Sequence, residues 1–309
     1  MQTVTVAIPT YRRERVLVET IEQVLAQSPG ADEVLIVDQT PCHEPETNRF
    51  LETEAAAGRL RWLRQSPPSL PAARNRALRE AHGDVVLFID DDVLLEPGFV
   101  EQHRSNYENA TVVAVGGRVV QARTGWMLPR APQSWPRDLD FLYFRFDSSP
   151  RTVGIANFSG GNHSVRRAYA LETGGYDEAY IGWAFREETD LALRIWRRGG
   201  IIVFDPVASL THLQAPAGGC RFEEASTPDW VIAFPGTYFA FRNLFPSVAF
   251  WREILFTSFT GSVLRMSNAR RPWRLPWAVL SYAYAVVRAA RAAARTKRSD
   301  RERMKDARP

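Results

Sequence analysis

"GDVVLFIDDDVLLEPGF", residues 83–99, drives an apolar run straight into three consecutive carboxylates. Val85 to Ile89 reads as a strand buried on both faces, because the run is short, wholly apolar and rich in β-branched side chains. Asp90, Asp91 and Asp92 follow it directly. Like charges repel, and aspartate is disfavoured in strands, so packing alone does not select this sequence. A positive group is expected to meet the three carboxylates when the protein works, and a divalent cation held by oxygen ligands meets that need.

The flanking sequence alternates. "VTVAIPT" (4–10), "DEVLIVDQ" (32–39) and "LRWLRQS" (60–66) read as strands. "RERVLVETIEQVLAQ" (13–27) reads as an amphipathic helix, a further helix ends near Gly58, and "LPAARNRALREAHG" (70–83) has Pro71 at its start and Gly83 beyond its end. Strands alternating with helices predict βαβ units, and thus an α/β sheet with helices on both faces. Ligands of such sheets lie at the carboxyl ends of the strands. Thr10, Asp38 and Asp90 to Asp92 all fall at those ends, so one crevice is expected to collect them.

The first strand–helix turn, "AIPTYRRERV", has no G-x-G-x-x-G fingerprint, and no G-x-x-x-x-G-K-[ST] occurs in the chain. Asp38 has two readings of equal weight: an acceptor for a nucleotide base or ribose, or a turn-forming residue before "QTP". Beyond Thr111 the pattern blurs. "TVVAVGGRVVQA" suggests a strand or hairpin, and the Trp- and Pro-rich passage ending "SWPRDLDFLYFRF" reads as a functional loop. Gly160 and Gly161, before Asn162, His163, Ser164 and Val165, allow close backbone approach to a ligand, or simply turn the chain into a strand. In "FREETDLALRIWRRGG" the acids Glu187, Glu188 and Asp190 crowd the first helical turn and arginines the last, which the helix dipole alone would favour. "GIIVFDPVASLTHL" gives a strand with His212 a little downstream.

Bulk properties narrow the classes. The 309 residues carry a formal net charge of +4. From Arg265 onward there are 13 Lys and Arg against 3 Asp and Glu, and before it 26 against 32. A mildly acidic body with a basic tail predicts an anionic partner for the tail. Cys42 and Cys220 are too few for a disulfide framework or zinc site, which suits a reducing, cytoplasmic compartment. The opening "MQTVTVAIPTYRR" does not read as a signal peptide. "WVIAFPGTYFAF", "ILFTSFTGSVL" and "LPWAVLSYAYAVV" are each shorter than the ~18–20 apolar residues that a membrane span needs. A soluble or membrane-peripheral chain is expected.

Taken in order, "VAIPTYRR", "VLIVDQT", "PAARNRAL", "GDVVLFIDDDVLLEPGFV", "SGGNHSVRR", "GGYDEAY" and "FREETDLALRIWRRG" followed by "DPVASLTHL" resemble the inverting glycosyltransferases of family 2. The resemblance covers about Thr3 to His212. It implies the GT-A fold: a Rossmann-like mixed central sheet flanked by helices, here with a helical C-terminal extension. It also implies a domain over 1–220, with a nucleotide-sugar half of about 1–110 and an acceptor half of about 111–220, followed by the extension over 221–309.

The same resemblance implies site roles. Carboxylates after the fourth strand hold Mn²⁺ or Mg²⁺ against the diphosphate of a nucleotide-sugar, with UDP the commonest nucleotide. Alternate residues of an extended segment point the same way, so Asp90 and Asp92 can face the site while Asp91 turns away. Asp92 is expected as the direct ligand, Asp90 as a ribose contact or shared ligand, and His212 as a further ligand. Thr10, Asp38, Arg74 and Asp91 fall on the donor side. Asn162, His163 and Asp190 fall on the acceptor or sugar side, Asp190 as the structural member. The general base is expected at Glu188, with Glu187 second. The family's usual pair ends in aspartate, and glutamate reaches one methylene further.

The implied acceptor is the hydroxyl of a glycan or lipid-linked sugar, as in polysaccharide or cell-envelope synthesis. Ser281, Tyr284, Arg288, Arg291, Arg295 and Arg298 recur at helical spacing and could rest on an anionic membrane at its inner face, or form a solvated helix. No nucleic-acid module is recognised. A sugar-phosphate nucleotidyltransferase would want a glycine-rich loop where this chain has "PTYRRERV". A catalytically inactive nucleotide- or sugar-binding homologue would be expected to lose the carboxylates that this chain keeps.

Overall fold

The computed structural model describes residues 1–122, 142, 144–219, 227–264, 268 and 271–306. The Trp- and Pro-rich passage falls outside them over residues 123–141, as does Cys220. The chain forms two compact units: Met1–Asp177 with Leu191–Gly219, and Glu178–Asp190 with Cys220–Pro309.

The first unit is built on one mixed sheet. Its parallel half comprises β1 (Val4–Thr10), β2 (Glu33–Asp38), β3 (Arg61–Arg64) and β4 (Val85–Ile89), in the order β3-β2-β1-β4. The helices α1 (Arg15–Leu25), α2 (Pro45–Ala56) and α3 (Leu70–Glu80) connect them. Val85, Leu87 and Ile89 pack into one core cluster and Val86 and Phe88 into another, the two-residue alternation of a strand buried on both faces. Each such side chain contributes roughly 1.5–3 kcal/mol of burial. That outweighs the local cost of ending the strand on acids. The start of α3 is fixed by Ser69, whose hydroxyl accepts the Ala72 N–H, and by Pro71 in the first turn. Such a cap is worth about 1 kcal/mol.

Two further short elements follow β4: β5 (Val93–Leu95) and α4 (Phe99–Ser105). The segment predicted as a strand or hairpin is one ten-residue strand, β6 (Val112–Gln121). After the two-residue β7 (Thr152–Val153), β8 (Asn162–Arg166) inserts antiparallel between β4 and β6 and turns the sheet mixed. A short helix α5 (Arg167–Glu172) precedes α6 (Glu187–Arg197). The last strand, β9 (Ile201–His212), runs parallel to β6 and antiparallel to β5 and β7, completing the order β3-β2-β1-β4-β8-β6-β9-β5. His212 thus ends a strand; it does not trail one.

The second unit is helical. Its C-terminal part holds α7 (Asp229–Phe239), α8 (Val248–Arg252), α9 (Phe259–Val263) and the 32-residue α10 (Leu275–Asp306). Ala233, Val263, Ala278, Tyr282 and Ala285 form its core. The segment 178–190 belongs to this unit, a departure from a division at residue 220 alone. Three contacts explain it. Tyr180 packs edge-on to Tyr238 at 4.9 Å, Arg186 lies 3.5 Å from Glu253, and Asp190 pairs with Arg242 at 2.9 Å. The boundary therefore falls inside α6, after Asp190. No helix among the described residues is long and apolar enough to cross a membrane.

Candidate active site

At the carboxyl end of β4 the three aspartates divide. Asp91 turns into the protein, where its carboxylate accepts from the Thr10 hydroxyl at 2.7 Å and from Arg13 Nε at 3.0 Å. Burial pushes its carboxyl up to about 6, against the opposing charge of Arg13. Asp90 and Asp92 instead face His212, whose Nε2 lies 3.2 Å from Asp92 Oδ1 and 4.0 Å from Asp90 Oδ2. One ligand atom from each of these three residues lies within 4.8 Å of the other two. At that spacing two carboxylate charges repel by about 3–4 kcal/mol in a surface-like dielectric.

Arg13 answers part of that repulsion. Its guanidinium spans Asp91 and Asp92, each at 3.0 Å, and is held by the carbonyls of Ala215 and Ala217. Gly218 and Gly219, both at positive φ, let this segment close over residues 12 and 13; a Cβ at either would collide with them. Asp92 Oδ2 also accepts the Ala215 N–H at 2.8 Å. Burial works against its charge, but His212, Arg13 and this amide hold the Asp92 carboxyl below the usual range. Oδ1 is the oxygen turned to His212.

The histidine is equally constrained. Its Nδ1 donates to Gln121 Oε1 at 3.0 Å, because an amide oxygen can only accept. In the neutral ring Nε2 then carries a lone pair facing Asp92 Oδ1. Two lone pairs 3.2 Å apart require a positive charge, either a proton on Nε2 or a cation between them. A histidine whose other ring nitrogen is held by the Gln121 amide, beside two carboxylates, suits a divalent metal. The donor set fits Mn²⁺ or Mg²⁺.

Other predicted residues take different places. Arg74 is buried; it donates to the Gly160 carbonyl at 2.7 Å and stacks over Tyr176. It thereby braces the Gly160–Gly161 turn, where a Cβ on Gly161 would collide with the Asp90 carboxylate. Close approach is indeed what these glycines permit, but to the chain's own aspartate. Asn162 and His163, expected near the sugar, are both wholly buried within the sheet. Asn162 bonds His103, the Arg118 carbonyl and the Ala208 carbonyl. His163 bonds the Ser159 carbonyl and the Tyr176 hydroxyl, and stacks on Phe158 at 4.4 Å. Burial, with Arg74 nearby, holds its imidazole well below the ordinary value, so it is a neutral interior group.

Asp38 forms a separate cluster at the end of β2. It is fully buried, and its Oδ1 accepts the Thr40 N–H at 2.8 Å. Its Oδ2 accepts from Trp62 at 2.9 Å and from His43 Nε2 at 3.0 Å. His43 Nδ1 lies 3.2 Å from both oxygens of Glu14. Both ring nitrogens face carboxylates, so both donate and the ring is an imidazolium. Burial opposes that charge, but the bonds and charges of Asp38 and Glu14 raise the His43 pKa above its ordinary value. Burial opposes the Asp38 charge too, and the bonds from His43, Thr40 and Trp62 lower its carboxyl pKa.

The sign for stability follows by linkage. The His43 contribution is complete below the ordinary histidine range and is lost as pH rises through the raised value. The Asp38 contribution is present above the ordinary carboxyl range and is lost as pH falls through the lowered one. His43→Gln is therefore expected to lower the denaturation midpoint near pH 6 and to cost less at more alkaline pH. Urea titrations of both proteins across that range check it; an equal cost at every pH would show that the imidazolium is not what stabilises the cluster.

The acids at the start of α6 lie in the second unit. Glu187 is fully buried, whereas Glu188 is half-buried and accepts from the Thr189 hydroxyl at 3.2 Å. Asp190 Oδ1 accepts from Arg242 Nε at 2.9 Å and Asn243 Nδ2 at 2.7 Å. Arg242 also reaches Asp300 at 3.1 Å. Asp190 is thus committed to bonds within the second unit.

The sequence model described as "Glycosyl transferase family 2" matches residues 5–170, more than half of the chain. The chain belongs to glycosyl transferase family 2. Among curated relatives of this glycosyltransferase, the glucosyl-dolichyl phosphate glucuronosyltransferase of Haloferax volcanii is 28% identical over 246 residues, 74% of this chain and 72% of its own. The O-antigen biosynthesis protein RfbC of Myxococcus xanthus is 26% identical over 231 residues, 68% of this chain but only 17% of its own. Solved structures share the fold. A mannosyltransferase from Pyrobaculum calidifontis in complex with GDP-Man and Mn²⁺ superposes over 96% of this chain and 79% of its own, with a TM-score of 0.55 and 19% identity. GalNAc-T7 with UDP, GalNAc and Mn²⁺ superposes over 78% of this chain and 50% of its own, with a TM-score of 0.56 and 16% identity. The family 2 glycosyltransferase has the GT-A fold, with its mixed sheet and helical C-terminal extension.

Three residues that shape the site carried little signal in the sequence. Arg13 is visible only as one of two arginines after the first strand. Gln121 reaches His212 solely through the pairing of β6 with β9. His43 sits in a loop whose partners are 5 and 29 residues away.

Proposed function

We propose that this family 2 enzyme transfers a sugar, with inversion, from a nucleoside diphosphate donor to a hydroxyl of a glycan or lipid-linked acceptor. The observation that carries this reading is the Asp90–Asp92–His212 cluster at the carboxyl end of β4, with His212 oriented by Gln121. Asp92 Oδ1, Asp90 and His212 Nε2 would hold the divalent metal, which supplies charge stabilisation for the leaving diphosphate. Arg13 keeps Asp92 turned toward that position, and Thr10 and Arg13 keep Asp91 away from it. Asp38 and His43 shape the donor side at the end of β2, and UDP is the nucleotide we favour.

The transfer is a single displacement. The acceptor oxygen forms a bond to the anomeric carbon as the bond to the diphosphate oxygen breaks, and that electron pair leaves with the nucleotide. The hydroxyl proton goes to Glu188, the half-buried acid of the α6 turn. Fully buried Glu187 supports the turn, and Asp190 holds its orientation through Arg242. The Haloferax volcanii relative is named for a glucosyl-dolichyl phosphate, and this favours a lipid-linked acceptor in cell-envelope synthesis, at the inner face of the cytoplasmic membrane. The basic C-terminal helix would provide peripheral contact there.

Calorimetry with UDP, GDP and dTDP, each with and without Mn²⁺, tests the donor reading. UDP is expected to bind in Mn²⁺ and to lose most of its affinity without it. A protein that binds no nucleotide in either condition would remove the donor-site assignment.

A further inference from the structure

We propose that the helical unit carries a membrane-docking surface, formed by the exposed aromatic stripe of α10 flanked by arginines and fitted to an anionic lipid bilayer. This deepens the lipid-side part of the proposed function and rests on it only for the choice of leaflet. Of the eighteen exposed large apolar side chains among the described residues, twelve lie between Phe245 and Val287. Scattered single exposures are ordinary; a concentration of this kind marks an interaction surface.

The stripe runs along α10 and the turn before it. Trp273, Trp277, Leu280, Tyr284 and Val287 succeed one another at spacings of four, three, four and three, and so share one helical face. The two tryptophans are 71% and 72% exposed. The opposite face is already used, since Ala278, Tyr282, Ala285, Ala289 and Ala293 are buried. One helix thus has two apolar faces: one is covered, and the other touches the described chain at Tyr284, edge-on to Trp230 at 5.6 Å. A separate exposed set, Val248, Trp251, Leu255 and Phe256, lies on the preceding segment at helical spacing. The Tyr282 hydroxyl donates to the Ile254 carbonyl at 2.5 Å, and Phe259 packs on the Tyr282 ring at 5.4 Å, so this segment meets α10 on its covered face and is not part of the stripe.

Charge decides the occupant. Residues 265–299 contain nine Lys and Arg and no Asp or Glu. Arg271, Arg274, Arg288, Arg291 and Arg295 are exposed beside the stripe, and Arg288 stacks over Trp230 at 4.5 Å. A second copy paired through this face would set those cations against their own duplicates without an intervening acid. An anionic bilayer presents the complementary charge, and tryptophan and tyrosine are favoured at the depth of its headgroups. An interfacial helix with arginines and exposed aromatic residues is the physical pattern for lying in that plane.

Flotation of the full chain with phosphatidylcholine vesicles, with and without phosphatidylglycerol, tests the surface. The assay contains neither donor nor acceptor, so its outcome is separate from that of glycosyl transfer. The expected result is recovery with phosphatidylglycerol vesicles that weakens as salt is raised. Trp273→Ser with Trp277→Ser is expected to weaken vesicle affinity on the order of tenfold, and Trp251→Ser with Phe256→Ser to leave it within about twofold. Nucleotide binding and the thermal midpoint, both unchanged, verify that these exposed positions leave the fold intact. No recovery with either vesicle, or recovery indifferent to the Trp273 and Trp277 pair, would overturn the proposal. So would concentration-dependent dimerisation abolished by the same substitutions, which would give the face to a second copy.

Discussion

Glu188→Gln is expected to lower the turnover number by roughly 10²–10⁴-fold, the usual worth of a positioned general base, while nucleotide affinity stays within about twofold. The substitution keeps the shape of the side chain and removes only its capacity to take the acceptor proton. Glu188 is the more accessible of the two glutamates, and its carboxylate already receives the Thr189 hydroxyl. Steady-state kinetics with a competent donor and acceptor, beside calorimetry of the bare nucleotide, separate the two quantities. If Glu187→Gln produced the large loss and Glu188→Gln a small one, the base would have to be reassigned to the buried position.

Asp92→Ala is expected to remove metal-dependent nucleotide binding and to lower turnover by about 10³-fold or more, since the charge stabilisation it anchors is worth several kcal/mol. The reasoning is local. Asp92 is 1% exposed, gives Oδ2 to Arg13 and the Ala215 amide, and turns Oδ1 to His212. Its loss leaves His212 without its nearest carboxylate, while Arg13 keeps its bond to Asp91 and with it the packing of the 215–219 segment. The fold should survive, so a circular-dichroism melt serves as control for the calorimetry. Undiminished Mn²⁺ dependence in the variant would move the metal away from this cluster.

The parallel half of the sheet was legible because its signals are local. β1, β2 and β4 are short apolar runs, β1, β2 and β3 are each followed by a helix, and the acids after β4 contradict packing so plainly that they announce a site. The antiparallel insertion of β8 was not legible, because it pairs residues about 75 positions apart through a register that no nearby residue encodes. The burial of Asn162 and His163 was not legible for that reason. The glycine pair before them signals close approach in either case, and only the sheet reveals that Asp90 is what approaches. Asp190 could be read as an acid at a helix start, but its partners Arg242 and Asn243 lie 52 and 53 residues away. The arginine stripe of the tail is present, yet the tryptophans of the exposed face become visible only once the buried alanines show which side of α10 is covered.

The pairing of β6 with β9 is irregular at Gly117 and Arg118, where the partner jumps from Asp205 to Ser209. That interruption sets which residue of β9 stands opposite Gln121. A deletion of one residue among Pro206, Val207 and Ala208 would bring Leu213 into the place of His212, unless the bulge itself tightened. The third member of the cluster is therefore specified by a length as much as by an identity. Among chains built on this plan, the count of residues across that bulge decides whether a histidine downstream can reach the carboxylates at all.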